Sequence, residues 1–469
     1  MERLDCHVQN YDWGKKGTKS DVARIYAAGH NAVIDENKCY AELWMGTHPD
    51  GPARLKNSQV KLSTFIADGE TLRHGCPNEK HLPFIMKLMS VEKALSLQVH
   101  PTKQQAAELN DRDPIHYPDR NHKPELAFAW TRFELLCGFR PAAQISINMS
   151  AFPELKQLMG KDTSEAFQVL VDAGILNECE TMKAALAVCF KEFIATKDSA
   201  KIAKLIESML SKLDSGIRGC LSDGTANVIK KIAQDFPGDI GCFSPLFLNH
   251  LILEPGECCY YAAEELHAYL SGECVECVGC SNNTIRAACT PKYIDVETLC
   301  KILSYRMTDP SYYIVKPVVL KDFPHVVEYA PDCKDFTLHE IKVSVATTDS
   351  PLPIPCLDCG SIMVLVEGEA IIENLTEKNS SKKIMTVSKG DIIYIQPRAQ
   401  ICFINCLKPT VIYRTFSFEE GPDHSKRNLL ADSEVHKKIK VQRKGRAKYL
   451  VVDEDAEIFD VETEMDGVC

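Results

Sequence analysis

Residues able to do acid–base or metal chemistry fall in three short stretches of the chain. The first is Ala94–His100, ALSLQVH. Read as a strand it alternates, with Leu95, Leu97 and Val99 facing one way and Ser96, Gln98 and His100 the other. If the polar face points inward it needs partners, because unpaired buried polar groups are costly, and one metal ion would satisfy the Gln98 oxygen and the His100 nitrogen together. The plain alternative is an outward face with a surface histidine. The second stretch is DRNHKPELAFA, 119–129, in which Lys123 and Glu125 share a strand face and Leu126 and Phe128 point to the opposite, apolar one. A carboxylate at the edge of a core wants a cation, either a lysine or a metal. The third begins at His267: His267 and Tyr269 share a face, Glu276 lies further along, and Thr284 and Arg286 alternate with apolar neighbours.

Two histidines, a glutamate and a glutamine make an N/O set for a divalent ion with a coordination position left open, and spacing alone does not choose among zinc, Fe(II) and Mn(II). Two His and one carboxylate also describe a non-haem Fe(II) oxygenase. Gln98 as a fourth protein ligand speaks against that reading, because oxygen chemistry needs open positions. A rival thiolate site would use Cys274, Cys277 and Cys280, spaced C-x2-C-x2-C. They lie in an apolar, strand-like stretch without a compact fourth ligand, so buried thiols are expected instead, as for Cys356 and Cys359.

The elements that must position these groups differ along the chain. Residues 1–140 are punctuated by Gly, Pro and Asp between short apolar runs, which predicts β structure. In DSAKIAKLIESMLSKL the apolar positions Ile202, Leu205, Ile206, Met209, Leu210 and Leu213 fall on one helical face, with Asp198 or Ser199 as cap. EAFQVLVDAGIL and ETMKAALAVCFKEFI repeat the pattern, so 142–241 is expected to be a helical insertion. β texture returns near Leu251. There Pro255-Gly256-Glu257 and its two succeeding strands resemble Lys389-Gly390-Asp391 and the two strands after it, with His267 falling opposite Ile401. That pattern predicts two related barrel modules, one chemically active and one structural. The expected organisation is mainly β: a catalytic module from 1–141 and 242–330, the helical insertion, a C-terminal module over 331–420 without metal ligands, and a charged tail over 421–469.

The 469 residues carry 54 Lys and Arg against 65 Asp and Glu, a net charge of −11, which argues against a general nucleic-acid or acidic-membrane binder. An anion can still bind where a few cations line one pocket. No apolar run is long enough to cross a membrane, and the opening MERLDCHVQNYDWGKKG lacks the apolar stretch of a secretory signal. With 21 cysteines, an odd count, a reducing cytoplasm is expected.

The sequence closely resembles the type I mannose-6-phosphate isomerases. The resemblance rests on Tyr11-Asp-Trp-Gly14, AELWMGTHPDGPA (41–53), LPFIMKLMSVEKALSLQVHP (82–101), YPDRNHKPELAFA (117–129), LCGFRP (136–141), HAYLSGECVEC (267–277) and RAACTPKYIDV (286–296). It spans roughly residues 5 to 420. It implies cupin (jelly-roll) barrels with a helical insertion, and one zinc per chain held by Gln98, His100, Glu125 and His267. It further implies Arg286 as catalytic, with Lys123, Glu276, Ser96, Tyr269 and Trp13 around the sugar. The implied reaction converts mannose 6-phosphate and fructose 6-phosphate through an enediol, in the cytoplasm, in a monomer, supplying mannose phosphate for GDP-mannose and glycosylation. One departure stands out: where the family reads Ser-Asp-Asn, this chain has Ser281-Asn282-Asn283, and Ala288-Cys289 replaces Gly-Leu. A sugar-phosphate sensor without turnover is the reading that this departure keeps open.

Overall fold

The computed structural model describes residues 1–70, 79–345, 351–379 and 383–419, so the segment expected to form a tail lies outside the described residues. Apolar runs pair into two ten-stranded sheets with antiparallel ladders. The first sheet carries the candidate chemistry. Its central strand, His267–Gly279, pairs at its start with Leu97–Val99 and Phe133–Phe139, and further along with Phe84–Val91 and Glu125–Ala129. A strand that serves both walls has to bend. The register shifts between Tyr269 and Ser271, and Gly272 adopts φ 106°. A Cβ at Gly272 would come within 2.3 Å of the Arg132 carbonyl oxygen, so only glycine fits this close approach.

The second sheet runs from Val318–Leu320 through Phe323–Tyr329, Thr337–Val343, Ile401–Phe416 and Ser361–Asn374 to Ile392–Ile395. Its edge recruits the start of the chain: Glu2 and Arg3 stand opposite Tyr394 and Ile393, and the Arg3 Nε lies 3.1 Å from Asp391 Oδ1. The two Gly-acid turns compared in the sequence have the same backbone form, Gly256 at φ 94° and Gly390 at φ 93°, and His267 and Ile401 each open a long strand. The second barrel still buries polar groups, because His339, Glu328 and Arg414 form one cross-strand row there.

Helices fill 142–235. The patterned segment forms Ser199–Asp214, capped by the Asp198 side chain accepting from the Lys201 amide at 2.9 Å, and it buries Ile202, Leu205, Ile206, Met209 and Leu213. Its core merges with the rear of the first sheet through Phe139, Phe190, Phe193 and Phe247. The β-rich expectation for 1–140 missed three helices, Asp21–His30, Leu62–Glu70 and Lys103–Arg112. Local signals existed for two of them: Ser20 caps the first, and Thr102 with Gln105 forms a reciprocal capping box on the third. Among the described residues no helix is long and apolar enough to cross a membrane.

Candidate metal and active site

Only the end of the Ala94–His100 stretch is a strand, Leu97–Val99, and there the expected alternation holds: Leu97 and Val99 enter the helical-side core while Gln98 borders a cavity. Leu95 departs from it. Before the strand begins, its amide donates to the Tyr269 carbonyl and its side chain also lines the cavity. Gln98 stands opposite His267 on one neighbouring strand and opposite Arg286 on the other. In-register residues share a sheet face, so this single row carries three of the sequence candidates.

His100, Glu125 and His267 place one ligand atom each within 4.8 Å of one another, all buried. The His100 Nε2 lies 3.1 Å from Glu125 Oε1 and the His267 Nε2 lies 3.5 Å from Glu125 Oε2. Each imidazole is oriented from behind. His100 Nδ1 donates to the Asn283 carbonyl at 2.7 Å and His267 Nδ1 to the Glu265 carbonyl at 2.9 Å. A carbonyl only accepts, so Nδ1 carries the proton and each Nε2 presents a lone pair, with no hydrogen-bond donor meeting it. Burial holds both rings below the ordinary imidazole value, His267 at about 4, which keeps them neutral. Neutral imidazoles with Nδ1 tied to a carbonyl and Nε2 aimed at a shared carboxylate fit a metal ion. Burial alone would raise the Glu125 pKa; Lys123, whose Nζ lies 3.1 Å away, and His100 outweigh it and hold the carboxyl well below its usual range. The Tyr261 hydroxyl donates to Glu125 Oε2 at 2.8 Å, and the Ser96 hydroxyl donates to Gln98 Oε1 at 3.0 Å.

Ser96, Gln98, Glu125 and His267 line a cavity of about 590 Å3 together with Trp13, Lys123, Tyr269, Glu276 and Arg286, so every site candidate from the sequence except His100 borders it, and His100 meets Glu125 next to it. Trp13 stacks on Tyr11 at 5.7 Å. The Tyr269 hydroxyl donates to Glu276 Oε1 at 3.0 Å. Burial raises the Glu276 pKa against the opposing charge of Lys87. The Arg286 guanidinium makes no hydrogen bond or ion pair among the described residues, and with Lys87, Lys93, Lys123 and Lys292 it sets five cations against the carboxylates of Asp12, Glu42, Glu125, Asp235 and Glu276 along the cavity wall.

Sequence reasoning missed Lys87, Glu42 and Tyr261. Lys87 lies 2.8 Å from Glu276 Oε2 and 3.5 Å from Glu42 Oε2, beneath the Trp44 ring at 5.1 Å, and the Trp44 indole donates to Glu42. Its signal was a lone charge in FIMKLM, within a strand buried at every position. The C-x2-C-x2-C thiols do not converge, since Cys274, Cys277 and Cys280 pack into three separate cores.

The models for the type I phosphomannose isomerase catalytic domain and helical insertion domain match residues 1–142 and 158–248. Mannose-6-phosphate isomerase from Mus musculus is 38% identical over 427 residues, 88% of this chain and 97% of its own length. The Homo sapiens protein of that name is 36% identical over 402 residues, 84% and 92%. The chain belongs to the type I phosphomannose isomerase family. Its fold agrees: an alanine variant of phosphomannose isomerase from Salmonella typhimurium superposes with a TM-score of 0.71 at 24% identity, over 89% of this chain and 99% of that one. A mannose 6-phosphate isomerase structure with zinc and yttrium bound matches equally, with a TM-score of 0.71. As a phosphomannose isomerase family enzyme with cupin barrels and a buried His-Glu-His cluster, the chain is a metal-dependent isomerase rather than an oxygenase.

Proposed function

We propose that this enzyme interconverts mannose 6-phosphate and fructose 6-phosphate, with one zinc ion per chain held by Gln98, His100, Glu125 and His267. The observation that carries the reading is the pair of neutral, back-anchored imidazoles whose Nε2 lone pairs converge on Glu125 beside a cavity that Lys123 and Arg286 also line. Zinc bound there supplies fixed positive charge that polarises sugar oxygens.

The chain's own groups supply the rest. The open-chain aldose loses its C2 proton to a base as O1 gains one, giving the cis-enediol; C1 is then protonated as O2 gives up its proton, leaving the ketose. Glu276 is assigned the carbon-bound proton: its raised pKa suits a group that both takes and returns it, and Tyr269, 3.0 Å away, orients it. Arg286, whose side chain has no protein partner among the described residues, and Lys123 stabilise the developing negative charge and the phosphate. Ser96 and Trp13 border the sugar. We place the enzyme in the cytoplasm as a monomer, its product feeding GDP-mannose synthesis and glycosylation.

A second reading is a sugar-phosphate binder without turnover. It draws on Asn282, an amide whose side chain donates to Asp50 Oδ2 at 2.7 Å at the cavity rim. A coupled isomerase assay on purified protein, with and without zinc, separates the two. Fructose 6-phosphate forming only with zinc supports the enzyme, whereas mannose 6-phosphate binding with no product at any zinc level overturns it.

A further inference from the structure

We propose that Asp239, at the exit of the helical insertion, is a positioning residue that clamps the backbone segment carrying Arg286 and Lys292 into the shape the cavity requires. The inference rests on the reading of Arg286 above and extends it to a residue of the helical insertion's exit.

The segment from Arg286 is unusual in three ways. Its ladder with Leu97–Val99 shifts register between Arg286 and Ala288, so Ala287 is an extra, bulged residue, a device that re-aims neighbouring side chains. Cys289 then takes φ 56°, a left-handed conformation that is strained for a residue with a Cβ and persists only where its surroundings impose it. Directly after it, Thr290, Pro291 and Lys292 turn along the cavity wall.

Asp239 imposes the turn. The Cys289 amide donates to both of its carboxylate oxygens, at 3.0 and 3.0 Å, while Oδ1 also accepts from the Gly241 amide at 2.7 Å and caps the short helix Ile240–Leu246. One carboxylate thus ties the insertion to the barrel segment beside Arg286. Gly241 completes the fit: a Cβ there would stand 2.4 Å from Cys289 Sγ and 3.0 Å from the Ala288 Cβ. The helical insertion reaches the same wall through Asp235 and Phe236, so the cavity's shape depends on how the insertion docks.

The test uses the zinc-loaded full-length enzyme. Asp239→Ala should lower kcat/KM by about tenfold to a hundredfold, the scale of a displacement of about an ångström in a catalytic group, with metal content per chain unchanged. Asp239→Asn should fall between the wild type and Asp239→Ala, because Oδ1 can still accept from both amides while an Nδ2 donor replaces the Oδ2 that the Cys289 amide also meets. Cys289→Gly, which removes the Cβ and the backbone cost, should shrink the effect of Asp239→Ala when the double variant is measured against Cys289→Gly alone. Gly241→Ala should also lower kcat/KM, and Cys289→Gly should relieve part of that loss. Amide hydrogen exchange at Cys289, slow in the wild type, should speed up in Asp239→Ala, and less in Asp239→Asn, independently of turnover. The proposal is overturned if Asp239→Ala stays within twofold of wild type, or if its effect is undiminished in the Cys289→Gly background. If Arg286→Ala keeps wild-type turnover while the exchange pattern holds, the role assigned to Arg286 fails and the clamp itself stands.

Discussion

Lys87 and Glu276 stand directly opposite each other on adjacent antiparallel strands, and their charges meet 2.8 Å apart with both side chains buried. Glu42, 3.5 Å from the same ammonium, makes this a two-carboxylate, one-lysine cluster, and Trp44 packs over the lysine. Tyr269, whose hydroxyl donates to Glu276 and lies 3.5 Å from Glu125 Oε2, joins this cluster to the His-Glu-His group.

Removing the lysine leaves two buried carboxylates without their cation. Lys87→Ala should therefore destabilise the fold by about 3–5 kcal/mol, the range for breaking a buried ion pair. Adding Glu276→Gln should recover part of the loss. Urea denaturation of the three proteins checks this, and equal stability of the single variant and wild type would show that the lysine is not needed to compensate the carboxylates.

Metal binding and turnover should separate by residue. His267→Ala and Glu125→Ala should lose metal and activity together, since each removes a ligand from the buried cluster. Arg286→Ala should keep its metal and lose at least about 10²-fold in kcat, the effect of deleting one preorganised charge-stabilising donor. Elemental analysis alongside the coupled assay reads both, and loss of metal from Arg286→Ala would show that the arginine also supports the ligand set.

Stability should fall on mild acidification. His30, His250, His325 and His339 are held below the ordinary imidazole value, first by burial, and lie away from the metal cluster. The unfolded chain then binds more protons than the folded one below about pH 6.5, so the contribution of these residues is present above that pH and is lost as pH falls. Urea midpoints at pH 7.5 and 5.5 measure the slope. His250→Gln, which can keep a hydrogen bond to Thr225, should flatten it, and an unchanged slope would remove His250 from the account.

The two β modules should be sensitive where the helix Asp21–His30 meets the second barrel. A Cβ on Gly29 would lie 1.9 Å from the Gly390 carbonyl oxygen, backbone against backbone, so neither side can yield cheaply. Gly29→Ala should cost about 1–3 kcal/mol, as overpacking does. A thermal melt reads this directly, and an unshifted midpoint would mean that the helix end moves freely.

Much of the site was legible because strand alternation is a local rule. Gln98, Glu125, His267 and Tyr269 each announced themselves as polar residues interrupting an apolar strand, and each borders the cavity. Lys123, expected on the same strand face as Glu125, precedes the strand that Glu125 opens and reaches the cavity from the loop before it. The amphipathic helix Ser199–Asp214 was legible for the same reason, its period being set by neighbours along the chain. The helix Lys103–Arg112 was not. It buries only Ala106 and Leu109, too few apolar positions to make a pattern, and a capping box had to define it.

Neighbouring residues along the chain were enough to establish the chemical inventory and its order: which side chains could take a metal, a proton or an anion, and on which faces of which strands they had to lie. Partnership across the sheet came from the folded molecule alone. That Lys87 meets Glu276, that Gln98 lies between His267 and Arg286, and that Asp239 reaches Cys289 from the helical insertion are facts of register and docking between segments about 50 to about 190 residues apart in the chain. No local rule reaches that far, because register is set by burial of whole faces and by the irregularities at Leu270 and Ala287, where one strand gains a residue on its partner.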